Sequence, residues 1–149
     1  IIEYARNILG LTEANTAEID QNAKDNVIDL MAEQKSVTDM GATMRLGAYP
    51  ATLVPGSKIA EIYGSNEISE RHRHRYEVNN KYVPLLEEKG LVMSGKNLNL
   101  DLVETIELKE HPWFIAVQYH PEFKSKPTKP HPLFYRFVEA SYNNKQKAK

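Results

Sequence analysis

Residues 113–120, WFIAVQYH, form a mostly apolar run that halts at Pro121. A run of this kind suits a strand buried on both faces of a parallel sheet. Proline fixes φ, lacks a backbone donor and holds the residue before it extended, so the strand cannot simply continue past His120. Elsewhere the chain alternates strand patterns with helix patterns, which makes α/β the expected class.

The helical signals are local. Apolar residues at 1, 2, 5, 8 and 9 mark one face of a helix that Gly10 would end. No capping residue precedes Ile1, and the stripe is already running there, so the expectation is a chain that starts inside a larger domain. Ser57 predicts the cap of a short helix over 58–63, with Gly64 at its end. Asn79 or Asn80 predicts the cap of a helix over 81–89, with Tyr82, Val83, Leu85 and Leu86 inward and Gly90 behind it. Pro132 opens a last helix with Leu133, Phe134, Phe137 and Val138 inward. The domain is expected over 1–142 and a loose polar tail over 143–149.

Strand patterns fall at 27–31, at 44–54 with a break at Pro50, at 71–78, at 91–94 and at 100–108. Residues 11–26 read as a long polar loop, 35–39 as a turn, and 123–131 (FKSKPTKPH) as an exposed connection.

Composition removes several function classes. Lys and Arg total 19 against 20 Asp and Glu, for a net charge of −1. A nucleic-acid binder or a protein of anionic membranes needs a strong basic surplus, so neither is expected. No apolar run approaches a membrane span, and no signal-peptide pattern opens the chain, so the expected location is cytoplasmic. The chain has no cysteine. It therefore has no disulfide, no thiolate metal site and no thiol nucleophile of its own.

Three motifs carry chemistry. In Gln118-Tyr119-His120-Pro121-Glu122, His120 ends a strand, where ligand sites of α/β sheets lie. Glu122 is placed to accept the imidazole N–H and so fix its tautomer. Three residues alone also fit a strand-end histidine beside a surface glutamate, the simpler reading. In Arg71-His72-Arg73-His74-Arg75, period two puts the arginines on one face and the histidines on the other. Composition favours a solvated edge strand. An arginine grip on a carboxylate or phosphate comes second, and a histidine pair chelating a metal third. The stretch Met40 to Gly47 fits a turn leading into a strand; it lacks the phosphate-cradling glycine patterns.

Taken together, EYARNILGL, EANTAEID, MGATMRLGAYP, ERHRHRYEVNN, HPWFIAVQYHPEF and HPLFYRFVEAS resemble, in order, the glutamine amidotransferase domain of the CTP synthase family. HPE is shared by class I glutamine amidotransferases generally, whereas the RHRHRYEVN and TMRLG blocks single out the CTP synthases. The resemblance implies part of a flavodoxin-like three-layer domain. It implies glutamine hydrolysis by a Cys-His-Glu triad, with ammonia passed to a synthetase domain where ATP-activated UTP becomes CTP. In the implied assignment His120 is the catalytic histidine and Glu122 the catalytic glutamate. Glu18 and Arg75 hold the ammonium and carboxylate of glutamine, and Arg45 is an activator contact. The implied full enzyme is homo-oligomeric and uses ATP and Mg²⁺, with GTP as activator; no cofactor and no metal is expected in this chain. The family's nucleophilic cysteine sits in an elbow just before the EYAR helix, so the 149 residues are expected to be inactive alone. The competing expectation is a non-catalytic regulatory module, or one that binds a metal or an anion through the RHRHR strand.

Overall fold

The computed structural model describes residues 1–30 and 44–147. The expected turn at 35–39, the start of the MGATMRLG block and Met31 lie outside them. Among the described residues four helices, α1 (Ile2–Asn7), α2 (Lys58–Tyr63), α3 (Val83–Glu88) and α4 (Pro132–Lys147), accompany eight strands in two sheets. The first sheet runs β1 (Ala14–Thr16), β2 (Asp25–Asp29), β5 (Glu77–Val78), with β1 and β2 parallel and β5 antiparallel to β2. The second is antiparallel, in the order β4 (Glu67–His74), β3 (Arg45–Leu53), β6 (Leu91–Asn97), β7 (Leu102–Leu108), β8 (Ile115–Val117). The mixed α/β class is as expected.

Several local expectations are corrected. The run 113–120 gives only the three-residue strand β8, half-buried at the sheet edge and antiparallel to β7, rather than a strand buried on both faces of a parallel sheet. The long strand that is buried is β7, from Leu102 to Glu107, and it carries Glu104, Thr105 and Glu107 inside with its apolar residues. The polar stretch 11–26 is not all loop, because β1 forms within it and pairs with β2. Strand β3 passes through Pro50 unbroken. Its other neighbour, β6, pairs only with Thr52 and Leu53, so at Pro50 one edge of β3 is open and a missing N–H there sacrifices no ladder bond.

The capping signals are realised where side chains meet backbone donors. Ser57 Oγ accepts from Ala60 N, and Gly64 closes α2 in the left-handed conformation at φ 65°. Asn79 Oδ1 accepts from Lys81 N and starts a 3₁₀ turn that leads into α3. Helix faces were less legible. Tyr82, Val83 and Leu86 are buried, but Leu85 is exposed. On α4 only Leu133 is buried; Phe134, Phe137 and Val138, expected inward, face outward. The helix also continues to Lys147 where a loose tail was expected from 143.

One core cluster packs Ala5 of α1, Leu86 of α3 and Val27, Val78, Leu91, Met93, Val103 and Ile106 of the two sheets. A second joins Leu53, Ile59, Ala60, Tyr119 and Leu133. This second cluster fixes the residue just before His120.

Candidate active site

After β8 the chain reaches His120, and residues Pro121–Phe123 form a 3₁₀ turn. His120 N donates to Arg71 O on β4 (2.9 Å), which docks the turn on the edge strand. The turn folds Glu122 back, so that His120 Nδ1 lies 2.7 Å from Glu122 Oε1. An ionised carboxylate only accepts, so the proton sits on Nδ1 and leaves Nε2 as the basic nitrogen. The hydrogen bond from His120 holds the Glu122 carboxyl below its usual range. The His120 ring stacks on Phe123, with centroids 5.2 Å apart and planes 21° apart. Both side chains of the pair reach solvent, at 34% and 55% exposure.

Beside the pair lies a buried ionic centre that joins the two sheets. Arg45 of β3 donates from Nη2 to Glu104 Oε1 of β7 (2.6 Å) and from Nη1 to Glu77 Oε1 of β5 (3.2 Å). Its guanidinium also sits 4.5 Å from the Tyr49 ring centroid. The histidines of the RHRHR run complete the centre. His72 Nδ1 lies 2.8 Å from His74 Nε2, and His74 Nδ1 lies 3.2 Å from Tyr76 O. The Tyr76 carbonyl fixes the direction of this chain: His74 donates from Nδ1, His72 donates from Nδ1 to His74 Nε2, and His72 Nε2 is left facing Glu104 Oε2 at 3.6 Å. Burial, followed by Arg45, lowers His72 to about 3 and His74 to about 4. Burial raises Glu77 to about 7, against the opposing pull of Arg45, and moves Glu104 upward too. His120 contributes to the lowering at both histidines, so the exposed pair and the buried centre share one electrostatic neighbourhood.

The expected periodicity of the basic strand holds from 71 to 74 and then ends. Arg71 and Arg73 are exposed on β4, whereas His72 is buried and His74 nearly so. The strand is an edge strand, but its histidine face is interior rather than solvated. Arg75 leaves the strand at a bend and is half-buried. Among the described residues no group of three or more His, Asp or Glu is arranged around a possible metal position.

Glu18 is exposed just past β1, and its N–H donates to Thr16 Oγ1. Ala17 N donates to Ile28 O, and Ile28 pairs with Val78, so the register brings the backbones of Glu18 and Arg75 to the same end of the first sheet. Arg45 is 3% exposed and engaged by two carboxylates; an activator contact through that guanidinium would require the pairs to open. The stretch 123–130 is an exposed connection as expected, but His131 at its end is buried.

Sequence reasoning missed Glu70, Glu77 and Glu104. The legible signal was a glutamate inside an apolar strand pattern, as in Leu102-Val103-Glu104, which demands a buried cation. Which cation answers it depends on strand register.

The family model for glutamine amidotransferase class-I matches residues 2–140. The chain belongs to the class I glutamine amidotransferase family. Within it, the chain is 52% identical over 147 residues to the CTP synthase of Syntrophus aciditrophicus, covering 99% of this chain and 27% of that protein. It is 56% identical over 140 residues to the CTP synthase of Bacillus subtilis, covering 94% and 26%. It thus spans about a quarter of the length of the curated relatives it matches. A solved structure of the Trypanosoma brucei CTPS glutaminase domain with bound acivicin superposes with a TM-score of 0.87 at 38% identity, covering 96% of this chain and 56% of that one. The amidotransferase fold expected from the motifs is therefore present. No helix among the described residues is long and apolar enough to cross a membrane.

Proposed function

We propose that this chain forms the C-terminal part of the glutamine-hydrolysing domain of a CTP synthase, with His120 as the proton-transferring base and Glu122 as its orienting acid. The observation that carries the reading is the 2.7 Å contact between His120 Nδ1 and Glu122 Oε1 on an exposed turn. It favours the tautomer in which Nε2 is basic, as thiol activation requires, on a side chain that reaches solvent.

In the proposed sequence, Nε2 takes the proton of a cysteine thiol supplied from outside these 149 residues. The thiolate attacks the amide carbon of glutamine, and the imidazolium returns the proton to the departing ammonia. Water then hydrolyses the γ-glutamyl thioester with Nε2 again as base. Glu18 and Arg75 are proposed to receive the α-ammonium and α-carboxylate of glutamine, one as an anion and the other through its planar fork. ATP, UTP, Mg²⁺, the activator GTP, the homo-oligomer and a cytoplasmic setting belong in this proposal to the complete enzyme. Arg45, engaged within the interior, is proposed to organise the site rather than to meet the activator in this state.

The test is ammonia release from glutamine. The 149-residue chain is expected to show no turnover, and a longer protein supplying a Gly-x-Cys-x-Gly elbow is expected to be active and to lose activity in His120→Ala. Turnover by the short chain, or an unaffected His120→Ala variant, would overturn the mechanism.

A further inference from the structure

The His120–Glu122 pair is formed by two exposed side chains on a six-residue segment, 119–124, that contains one 3₁₀ turn and no strand pairing of its own. A segment so short is not rigid by itself, yet both of its ends converge on one buried carboxylate, Glu70 of β4, which is 2% exposed. At the C-terminal end, Lys124 Nζ donates to Glu70 Oε1 (3.2 Å) and to Ser69 O (2.7 Å). At the N-terminal end, the buried Tyr119 hydroxyl is hydrogen-bonded to Tyr63 Oη (3.0 Å), and Tyr63 donates to the same Glu70 Oε1 (3.1 Å). His131 completes the set. Its Nδ1 accepts from Leu133 N, so its proton is on Nε2, which donates to Glu70 Oε1 (3.1 Å). Between these anchors, His120 N donates to Arg71 O, the residue after Glu70.

We propose that Glu70 is a positioning residue for the His120–Glu122 pair, clamping both ends of the turn that carries it onto strand β4. The inference rests on the reading of His120 and Glu122 as the working pair. Glu70 is placed to act through the backbone of 119–124. A buried carboxylate is costly unless donors answer it; here one donor, Lys124, ends the segment that carries the pair, and another, Tyr63, holds Tyr119 at its start. Without it, the i, i+2 contact between His120 and Glu122 competes with many other side-chain rotamers of an unpinned turn.

The first readout is the tautomer of His120, from ¹⁵N shifts of histidine-labelled 149-residue chain, in wild type, Glu70→Gln and Lys124→Met. In wild type the Nδ1–H form is expected to dominate. Both variants are expected to shift His120 toward the Nε2–H form that predominates in free histidine, Lys124→Met less because it cuts only one anchor. If Glu70→Gln does not fold, the half-exposed Lys124→Met decides. Folded variants with an unchanged His120 tautomer would overturn the proposal. The second readout is the kcat against KM split in the longer, thiol-supplying protein. Glu70→Gln is expected to lower kcat about tenfold through misalignment, with KM for glutamine nearly unchanged, and Glu70→Asp to recover part of the loss. An unchanged kcat would also overturn it. If the longer wild-type protein shows no His120-dependent turnover, the functional reading fails while the tautomer experiment still judges the clamp.

Discussion

Two charged assemblies lie side by side in this molecule and are built on opposite principles. The Arg45–Glu77–Glu104 centre is almost wholly excluded from solvent, whereas the His120–Glu122 pair is open to it. In the first, low dielectric makes every unpaired charge costly, so the guanidinium and the two carboxylates must answer one another. In the second, water screens the charges, and the contact serves to choose a tautomer rather than to hold the fold. Charge density alone would rank the buried centre first as a site. Accessibility reverses that order: the buried groups are closed in by the two sheets, and the pair proposed as the working one is open to solvent.

The sharpest way to break the comparison is to remove one member of each assembly. In a thiol-supplying longer protein, His120→Ala is expected to reduce ammonia release by about 10²–10⁴-fold while leaving the melting temperature nearly unchanged. Glu122→Ala should reduce it less, because Glu122 orients rather than transfers. Loss of folding in either variant would mean that the pair is structural after all.

Arg45→Ala is the converse change. It leaves two buried carboxylates without their cation, and urea denaturation should register a loss of about 3–5 kcal/mol. A change below about 1 kcal/mol would mean that water reaches the centre.

The pH dependence of stability sharpens the contrast. His72 and His74 are lowered from 6.5 to about 3 and about 4, so their contribution is fully present above 6.5 and is lost as the pH falls toward those values. Glu77 is raised from 4.5 to about 7, so its contribution is fully present below 4.5 and is lost as the pH rises toward 7. Between 4.5 and 6.5 the two histidines favour rising stability, and the carboxyls of Glu77, Glu104 and Glu107, all raised by burial, oppose it. The histidine part is read from His72→Asn: urea midpoints across this range should show a less positive slope of stability with pH than in wild type. An unchanged slope in His72→Asn would contradict the assignment.

The smallest expected effect belongs to the exposed pair. Glu122→Gln should change unfolding free energy by less than about 0.5 kcal/mol, the scale of a solvent-facing ion pair. A larger loss would erase the distinction drawn between the two assemblies.

The geometry of the turn at 120–122 was legible in the sequence. The spacing of His120, Pro121 and Glu122 foretold their contact, because a proline after an extended residue limits where the next side chain can go. Ser57 with Gly64, and Asn79 before its helix, were legible because capping is decided within a few residues. Helix faces were not: Phe134, Phe137 and Val138 read as inward yet lie exposed, since the apolar stripe of a helix does not say whether the described chain covers it.

By itself the sequence determined the local turns, the absence of a thiol and the family motifs, because each of these lives in neighbouring residues or in simple composition. Only the tertiary structure decided that WFIAVQYH yields a short antiparallel edge strand, that the basic run turns its histidines inward, and that Arg45 answers Glu77 and Glu104, which lie 32 and 59 positions away. Those outcomes depend on strand register, and register is fixed by pairing partners and by burial of one face, information that no single stretch of chain contains.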